Sequence, residues 1–171
     1  MENLLLFLAT SLVIRFSFTK RIKLQFIGNT GCSALLSSDN KLDSTLTQAG
    51  DHLYFHEFKD KNVTYGLICI QMNHEYTTAD AGEMLRSYID KLRGPFYILH
   101  NTGIHDDADW NSEPSKTIID YWQDSDKKDW KVKGYTDGKA LAVLYVKNIG
   151  HVAVKKQDLF LDSFHFTTVN N

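Results

Sequence analysis

The sequence predicts an α+β fold built on an antiparallel β-sheet, and three observations support this class. An Asp-Gly turn at 137–138 separates two β-prone runs, 130–135 and 140–146, which is a strong local pattern for a β-hairpin. The second run is apolar at nearly every position, so we expect both faces of that strand to be buried. Residues 77–93 carry apolar side chains at helical spacing. A strand covered on both faces is typical of the centre of a sheet with helices packed against it.

Strands are also predicted on the N-terminal side of the helix. Apolar and polar residues alternate through 21–27, and a polar turn at 60–62 separates two β-prone runs that should pair as a hairpin. The pattern over 33–50 is weak because serine, threonine and aspartate are frequent there. The predicted strands before the helix cover residues 21–27, 35–36, 42–47, 51–58 and 63–72.

The helix predicted over 77–93 has recognisable boundaries. Thr77 can cap its first turn together with Asp80, and Gly94 followed by Pro95 ends it. The elements predicted after the helix are strands at 96–99 and 117–122, the hairpin of 130–146 and a short final helix at 157–164.

Length and composition indicate one globular domain without a footprint for nucleic acid. The chain has 171 residues and a formal net charge of −2, which is not the basic balance of a nucleic-acid-binding protein. A chain of this length can bury enough surface to be stable without a metal or a disulfide. Two cysteines cannot define a disulfide framework. We expect Cys69, in an apolar strand, to be a buried thiol and Cys32, after Gly31, to lie in a loop.

Residues 1–20 support two interpretations. The apolar run 4–14 is too short to span a membrane as a helix but has the length of a signal-peptide core, which favours export to the periplasm or the cell exterior. Glu2 stands where a signal peptide carries basic residues, and the alternation over 12–19 fits a half-buried first strand in a cytoplasmic protein. In either case we expect residues 21–171 to form a single domain without an integral membrane segment.

The order of the predicted elements resembles that of PsbP-like proteins. The resemblance is carried by the hairpin segments Gly-Tyr, Asp-Gly-Lys and Val-Leu-Tyr-Val, followed by the ending 158–164, and it covers roughly residues 51–166. The family is named for an extrinsic subunit of the plant oxygen-evolving complex; a yeast Ran-binding protein shares its fold, and small exported bacterial proteins of unknown function look similar. The resemblance implies an antiparallel sheet sandwiched between helices, an α/β/α arrangement. It implies no reaction, since the known members mostly act in binding or assembly.

The longest polar connection in the chain, 101–114, carries side chains that could bind a metal. Loops often present functional side chains on a rigid scaffold, and imidazole with carboxylate suits Zn²⁺, Mn²⁺ or Ca²⁺. A solvated acidic loop is the alternative interpretation, because charge-rich loops commonly hold no ligand. We expect no cofactor other than this divalent metal. The candidate metal ligands are His100, His105, Asp106, Asp107 and Asp109.

Aromatic residues near this loop could form a protein interface. Trp110 lies in the polar connection, and Tyr121 and Trp122 lie in the strand predicted at 117–122. Core packing is the alternative explanation for most aromatic residues of the chain. Asp120 shares a predicted strand face with Trp122, and we expect that face to be exposed, since a buried Asp120 would need a hydrogen-bonding partner.

No catalytic motif supports an enzyme. The sequence contains no nucleophile elbow, no P-loop and no dinucleotide-binding glycine motif. We therefore expect a non-enzymatic binding or assembly domain with a protein or small-molecule partner and no nucleic-acid partner. The alternative is a metal-binding protein or metal-dependent enzyme that uses the loop from His100 to Asp109.

Overall fold

The computed structural model describes residues 21–106 and 115–166 of the chain. These residues form an α+β structure dominated by antiparallel strands, as the sequence predicts. The strands are β1 (Ile22–Phe26), β2 (Cys32–Ser37), β3 (Asp43–Leu46), β4 (His52–Asp60), β5 (Val63–Gln71), β6 (Ile98–Asn101), β7 (His105–Asp106), β8 (Lys116–Asp124), β9 (Asp129–Thr136), β10 (Ala140–Lys147) and β11 (His165–Phe166). The helices are α1 (Thr78–Leu92) and α2 (Val154–Leu161), and a 3₁₀ turn covers Ile149–His151.

The described strands form two antiparallel sheets. The larger sheet has the order β3-β4-β5-β10-β9-β8-β6, with the short β7 also paired to β8, and the smaller sheet has the order β1-β2-β11. Strand β10 lies between β5 and β9 in the middle of the larger sheet. Its residues from Ala140 to Val146 are all buried. The central strand predicted from the apolar run is therefore confirmed.

The larger sheet separates two hydrophobic cores. On one face, α1 packs Leu85 and Ile89 against β8, β9 and β10. The helix approaches closely because Gly134 of β9 has no Cβ, and a Cβ there would lie 2.7 Å from Cδ1 of Ile89. On the other face, α2 and the smaller sheet pack against β5 and β10 through residues that include Phe160 and Leu36. One helix therefore lies on each face of the larger sheet.

The long helix and both predicted hairpins are confirmed, but the final helix has different boundaries. Helix α2 covers Val154–Leu161 and so begins and ends earlier than the predicted 157–164. The earlier end is set by the C-terminal turn, where the hydroxyl and the amide of Ser163 both donate to the Phe160 carbonyl. These two bonds close the helix and lead the chain into β11.

Strand β2 differs most from its prediction. It spans Cys32–Ser37, whereas the sequence pattern supports only 35–36, and Cys32 begins the strand instead of lying in a loop. Its serines weaken the local strand signal, but tertiary contacts compensate: the Leu35 amide donates to the Ser163 hydroxyl at 3.0 Å. Long-range partners, which no local pattern contains, therefore fix this strand.

Two buried contacts join the smaller sheet to the larger one. The Ser37 amide of β2 donates to Nε2 of His56 in β4 at 3.2 Å. The buried thiols of Cys32 in β2 and Cys69 in β5 interact, and this interaction together with burial raises the pKa of Cys69. Cys69 is fully buried, which confirms the buried thiol predicted from the sequence.

Part of the predicted organisation lies outside the described residues. This applies to the export segment or first strand at 1–20 and to residues 107–114 of the polar connection. No helix in the described parts of the chain is long and apolar enough to cross a membrane.

Candidate functional site

A cleft of about 600 Å³ opens on the larger sheet next to the loop that follows α1. Three parts of the chain that are distant in sequence form it, namely the β4–β5 hairpin, the loop after α1, and the adjoining ends of β9 and β10. Natural small-molecule sites have volumes of roughly 300–1,000 Å³, so the cleft has a suitable size. Its lining residues are Glu57, Lys59, Lys61, Asn62, Thr64, Pro95, Phe96, Tyr97, Lys128, Trp130, Lys147 and Asn148.

The floor of the cleft is one row of side chains across four strands. Strand register pairs Lys59 of β4 with Thr64 of β5. Lys147 of β10 is paired on one side with Thr64 and on the other with Trp130 of β9. Directly paired residues point to the same face of a sheet, so the four side chains stand side by side. Trp130 belongs to the core beneath α1, which places the row on the α1 face.

The loop after α1 forms an aromatic wall of the cleft. The ring of Phe96 packs against those of Trp130 and Tyr145, with centroids 5.2 Å apart in both pairs, and this anchors the loop to the sheet. Tyr97 follows with a side chain that is 73% exposed. The Ser125 amide donates to the Tyr97 carbonyl at 3.0 Å, so the backbone of Tyr97 is held while its ring stays accessible.

Strained backbone is concentrated around this cleft. Among the described residues, the non-glycine residues with positive φ are Lys61, Tyr97, Lys127 and Asn148. Three of them line the cleft, and Lys127 immediately precedes the lining residue Lys128. Asparagine adopts this conformation readily, but a bulky residue such as Tyr97, with a φ of 54°, does so rarely. Because such residues cluster at ligand sites, the strain supports a functional role for the cleft.

A buried carboxylate holds Lys147 in place. Oδ2 of Asp124 lies 2.7 Å from Nζ of Lys147 and accepts a hydrogen bond from Nε1 of Trp130 at 3.0 Å. Burial raises the pKa of Asp124, but the bonds from Lys147, the Lys128 amide and Trp130 outweigh burial, and the pKa lies below its ordinary value. Asp124 is therefore ionised at neutral pH and fixes the Lys147 ammonium at the cleft.

The other lysines of the cleft are less neutralised. Lys128 forms an exposed ion pair with Asp126 at 3.7 Å, which contributes little in water. No carboxylate in the described parts of the chain lies at ion-pair distance from Lys59 or Lys61. Both ammonium groups can therefore contact an anion without first breaking an ion pair.

Glu57 is the acidic residue among the described residues that line the cleft. Its Oε2 accepts a hydrogen bond of 2.7 Å from the Tyr145 hydroxyl. Gly66 lies between them in the sheet, and a Cβ on Gly66 would come within 2.0 Å of Cζ of Tyr145. Burial and the bond to Glu57 raise the pKa of Tyr145 well above its ordinary value, so the hydroxyl remains a donor. The Tyr145 hydroxyl thus fixes the orientation of the Glu57 carboxylate.

The lining groups are suited to binding more than to catalysis. Ammonium groups, side-chain amides and a hydroxyl can contact an anion, and aromatic rings can contact an apolar body. The described lining contains no histidine, cysteine or serine, so it offers no nucleophile paired with an imidazole base. The arrangement therefore favours recognition of a small anionic molecule.

The structure places the two predicted histidine ligands apart on the edge of the larger sheet. His100 of β6 pairs near Gln123 of β8, and His105 of β7 pairs with Ile119. These positions of β8 are separated by about 13 Å along the strand, at roughly 3.3 Å per residue. Both histidine side chains are exposed.

The predicted aspartate ligands leave the metal hypothesis untested. Asp106 ends β7, and Asp107 and Asp109 lie outside the described residues. Within residues 21–106 and 115–166, no group of three or more His, Cys, Asp or Glu side chains could hold a metal ion. The metal site at this loop stays a prediction.

The predicted interface residues have different environments. Tyr121 is 39% exposed on β8, whereas Trp122 is 2% exposed and belongs to the core beneath α1. Trp110 lies outside the described residues. A protein interface at these residues stays a prediction.

The expectation that Asp120 lies on an exposed face is wrong, because its side chain is fully buried. Its carboxylate accepts hydrogen bonds from Nε1 of Trp122 at 2.6 Å and from Nη2 of Arg93 at 2.8 Å. The Thr102 hydroxyl donates to its other oxygen at 3.3 Å. Arg93 follows α1 directly, so this pair fixes the end of the helix beside the cleft loop.

Sequence reasoning missed the cleft because its lysines are dispersed along the chain. Lys59 and Lys61 flank one residue of a turn that looks like ordinary solvated surface, and Lys128 lies in a linker of alternating charges. Lys147 ends the apolar strand β10, which is far from β4 and β5 in sequence but pairs with β5 in the sheet. The one local signal is the Lys-Asp-Lys-Asn hairpin turn, which lacks the glycine expected at positive φ.

Comparison with known proteins adds no family. No protein-family model matches the chain, and no curated protein matches it.

Proposed function

We propose that this chain is a non-enzymatic binding domain that holds a small organic anion in the cleft lined by Lys59, Lys61 and Tyr97. One observation carries the proposal. Two lysines without carboxylate partners among the described residues line a concave site of about 600 Å³ that is also lined by an exposed tyrosine with strained backbone. On a surface without a binding role, neither the strained backbone of the cleft residues nor the grouping of like-charged lysines would be favoured.

The charge distribution favours a small anion over a nucleic acid. The chain as a whole carries a formal net charge of −2, whereas the cleft lining contains four lysines and one glutamate. Binding to a phosphodiester backbone depends on an extended array of basic residues, which release several counterions together. A single concave group of lysines beside aromatic rings instead fits one carboxylate or phosphate attached to a planar or apolar body.

We also propose that the architecture is PsbP-like and that the protein acts outside the cytoplasm. An antiparallel sheet with one helix on each face supports the first part. The apolar run at 4–14, which has the length of a signal-peptide core, supports the second. A PsbP-like fold implies no particular reaction, so this architecture is compatible with a binding role.

The test is isothermal titration of the purified protein with 4-methylbenzoate and with phenyl phosphate. We expect at least one of them to bind, and we expect the double variant Lys59→Gln/Lys61→Gln to weaken that binding by at least about tenfold, since bonds to charged groups contribute about 1.5–3 kcal/mol each. Raising the salt concentration should weaken it as well.

Lys139→Gln is the matched control. Lys139 is also an exposed hairpin lysine, but it lies at the opposite end of β10 from Lys147. Its substitution should leave the affinity unchanged. Absence of binding by both probes, or equal affinities for wild type and the double variant, would refute the proposed site.

A further inference from the structure

We infer that the ligand of this cleft carries two opposite charges, an anionic group that contacts Lys59 and Lys61 and a protonated amine that contacts Glu57. The inference rests on the anion site proposed above and names the chemical class of its ligand. It comes from the placement of one acidic side chain in a cleft otherwise lined by lysines, amides, a hydroxyl and apolar rings.

Glu57 and Lys59 present opposite charges on the same face of strand β4. Both lie on β4 with one residue between them, so they point to the same face of the sheet. Two residues along an antiparallel strand span about 6.8 Å. The backbone positions of Glu57 and Lys59 are therefore roughly 7 Å apart, and a ligand whose two charges have a comparable separation can contact both side chains at once.

The sheet is built to hold the Glu57 carboxylate in one orientation. The Tyr145 side chain is fully buried, and its hydroxyl reaches across Gly66 to donate to Oε2 of Glu57 at 2.7 Å. This bond engages Oε2, and no described group donates a hydrogen bond to Oε1. Although lysines line the same cleft, no ammonium or guanidinium group of the described residues lies at ion-pair distance from Glu57.

The aromatic wall defines the body that joins the two charged groups. Tyr97 presents an exposed ring, and the paired rings of Phe96 and Trp130 also line the cleft. Planar rings stack favourably on such side chains. A flat ring with an amine on one end and a carboxylate or phosphate on the other satisfies the spacing and the wall together.

The experiment compares 4-(aminomethyl)benzoate with 4-methylbenzoate, which has the same ring and carboxylate but no amine. Wild-type protein should bind the amine-bearing ligand at least about fivefold more tightly, because a charged hydrogen bond to Glu57 is gained. Glu57→Gln should remove this preference, and it should bind 4-methylbenzoate equally or more tightly because a negative charge has been removed.

Two further variants separate a ligand contact from a structural effect. Tyr145→Phe keeps the ring packing but frees the Glu57 carboxylate, so it should reduce the preference for the amine. Glu75→Gln changes an exposed carboxylate that is 69% accessible and lies outside the cleft, so it should keep the wild-type preference.

The outcomes distinguish this inference from the proposed function. Equal affinities of the two ligands in wild type, or a preference that persists in Glu57→Gln, would overturn the two-charge ligand. If 4-methylbenzoate still bound in a Lys59- and Lys61-dependent manner, the anion site would stand alone. Absence of binding by both ligands and by phenyl phosphate would overturn both.

Discussion

Single residues around the cleft hold conformations that their side chains disfavour. Lys61 is the first residue of the two-residue loop between β4 and β5, where it has a φ of 56° and where glycine is the usual residue. Tyr97 has a φ of 54° and an exposed ring. An L-residue in this region costs about 1–2 kcal/mol. Natural sequences commonly retain such residues where function needs their side chains.

Replacing Lys61 by glycine should therefore raise stability while it weakens binding. We expect Lys61→Gly to increase the free energy of unfolding by up to about 1 kcal/mol, since relief of strain exceeds the entropy that glycine adds to the unfolded chain. Urea denaturation measures the stability, and calorimetry measures the affinity for the anion probe.

Lys139→Gly is the control for this effect. Lys139 is also a hairpin residue but has no positive φ, so glycine there should lower stability by about 0.5–1 kcal/mol and leave binding unchanged. A loss of stability in Lys61→Gly as large as that in the control would show that the strain is absent.

At the scale of elements, strands β4, β5 and β10 act together to position one carboxylate. Their register aligns Glu57, Gly66 and Tyr145 across the sheet. The tyrosine ring can cross the middle strand only because Gly66 lacks a side chain, as a Cβ there would lie 2.0 Å from Cζ of Tyr145. A close approach between neighbouring strands thus links the packing of the sheet to the orientation of Glu57.

Substitution of Gly66 by alanine should displace the Tyr145 ring and break its bond to Glu57. We expect Gly66→Ala to destabilise the protein by about 1–3 kcal/mol, the usual range for overpacking of a core. It should also reduce any preference for an amine-bearing ligand. Denaturant unfolding and calorimetry together measure the two effects.

Gly150→Ala provides the matched comparison. Apart from Gly150, its chain neighbours and the backbone of its own turn, no described atom lies within 4 Å of the position that a Cβ on Gly150 would occupy, so this variant should unfold with nearly wild-type stability. Equal stabilities of Gly66→Ala and Gly150→Ala would contradict the close approach at Gly66.

At the scale of the whole molecule, the larger sheet separates two cores, and buried polar contacts join the smaller sheet to it. His56 of β4 is one of these contacts, since its Nε2 accepts the Ser37 amide of β2. Burial lowers the pKa of His56 below its ordinary value of 6.5, and the Lys41 carbonyl and Asp43 oppose this only in part. Protonation of Nε2 would remove the acceptor and separate the two sheets at this point.

Stability should therefore fall in mild acid. A histidine with a lowered pKa in the folded state binds fewer protons than the unfolded chain below about pH 6.5. Its contribution is complete above that pH and is lost as the pH falls through the folded-state pKa, by at most about 1.4 kcal/mol for each unit of lowering.

Urea denaturation of wild type and His56→Gln between pH 7.5 and about pH 5 measures this effect. The wild-type free energy of unfolding should decline through the range, and the decline should be smaller in the variant. Parallel curves for the two proteins would show that His56 does not carry the pH dependence.

The parts of the fold that depend on local pattern could be predicted from the sequence. The apolar run of β10 and the stripe of α1 identified the central strand and the long helix, because each pattern shows directly which faces are buried. The smaller sheet, the burial of Asp120 and the cleft could not be predicted. Each depends on partners far apart in the chain, as in the bond between Asp120 and Arg93 across 27 residues.

The most direct test of the cleft as a ligand site is a nuclear magnetic resonance titration of the full chain with 4-methylbenzoate. Backbone amide shifts should move at the cleft, at residues such as Asn62, Tyr97 and Asn148, and should saturate together. Amides of the turn near Lys139, which joins β9 to β10 at the ends of these strands that lie away from the cleft, should not move. Shifts confined to other surfaces, or no saturable shifts at the cleft, would contradict the account.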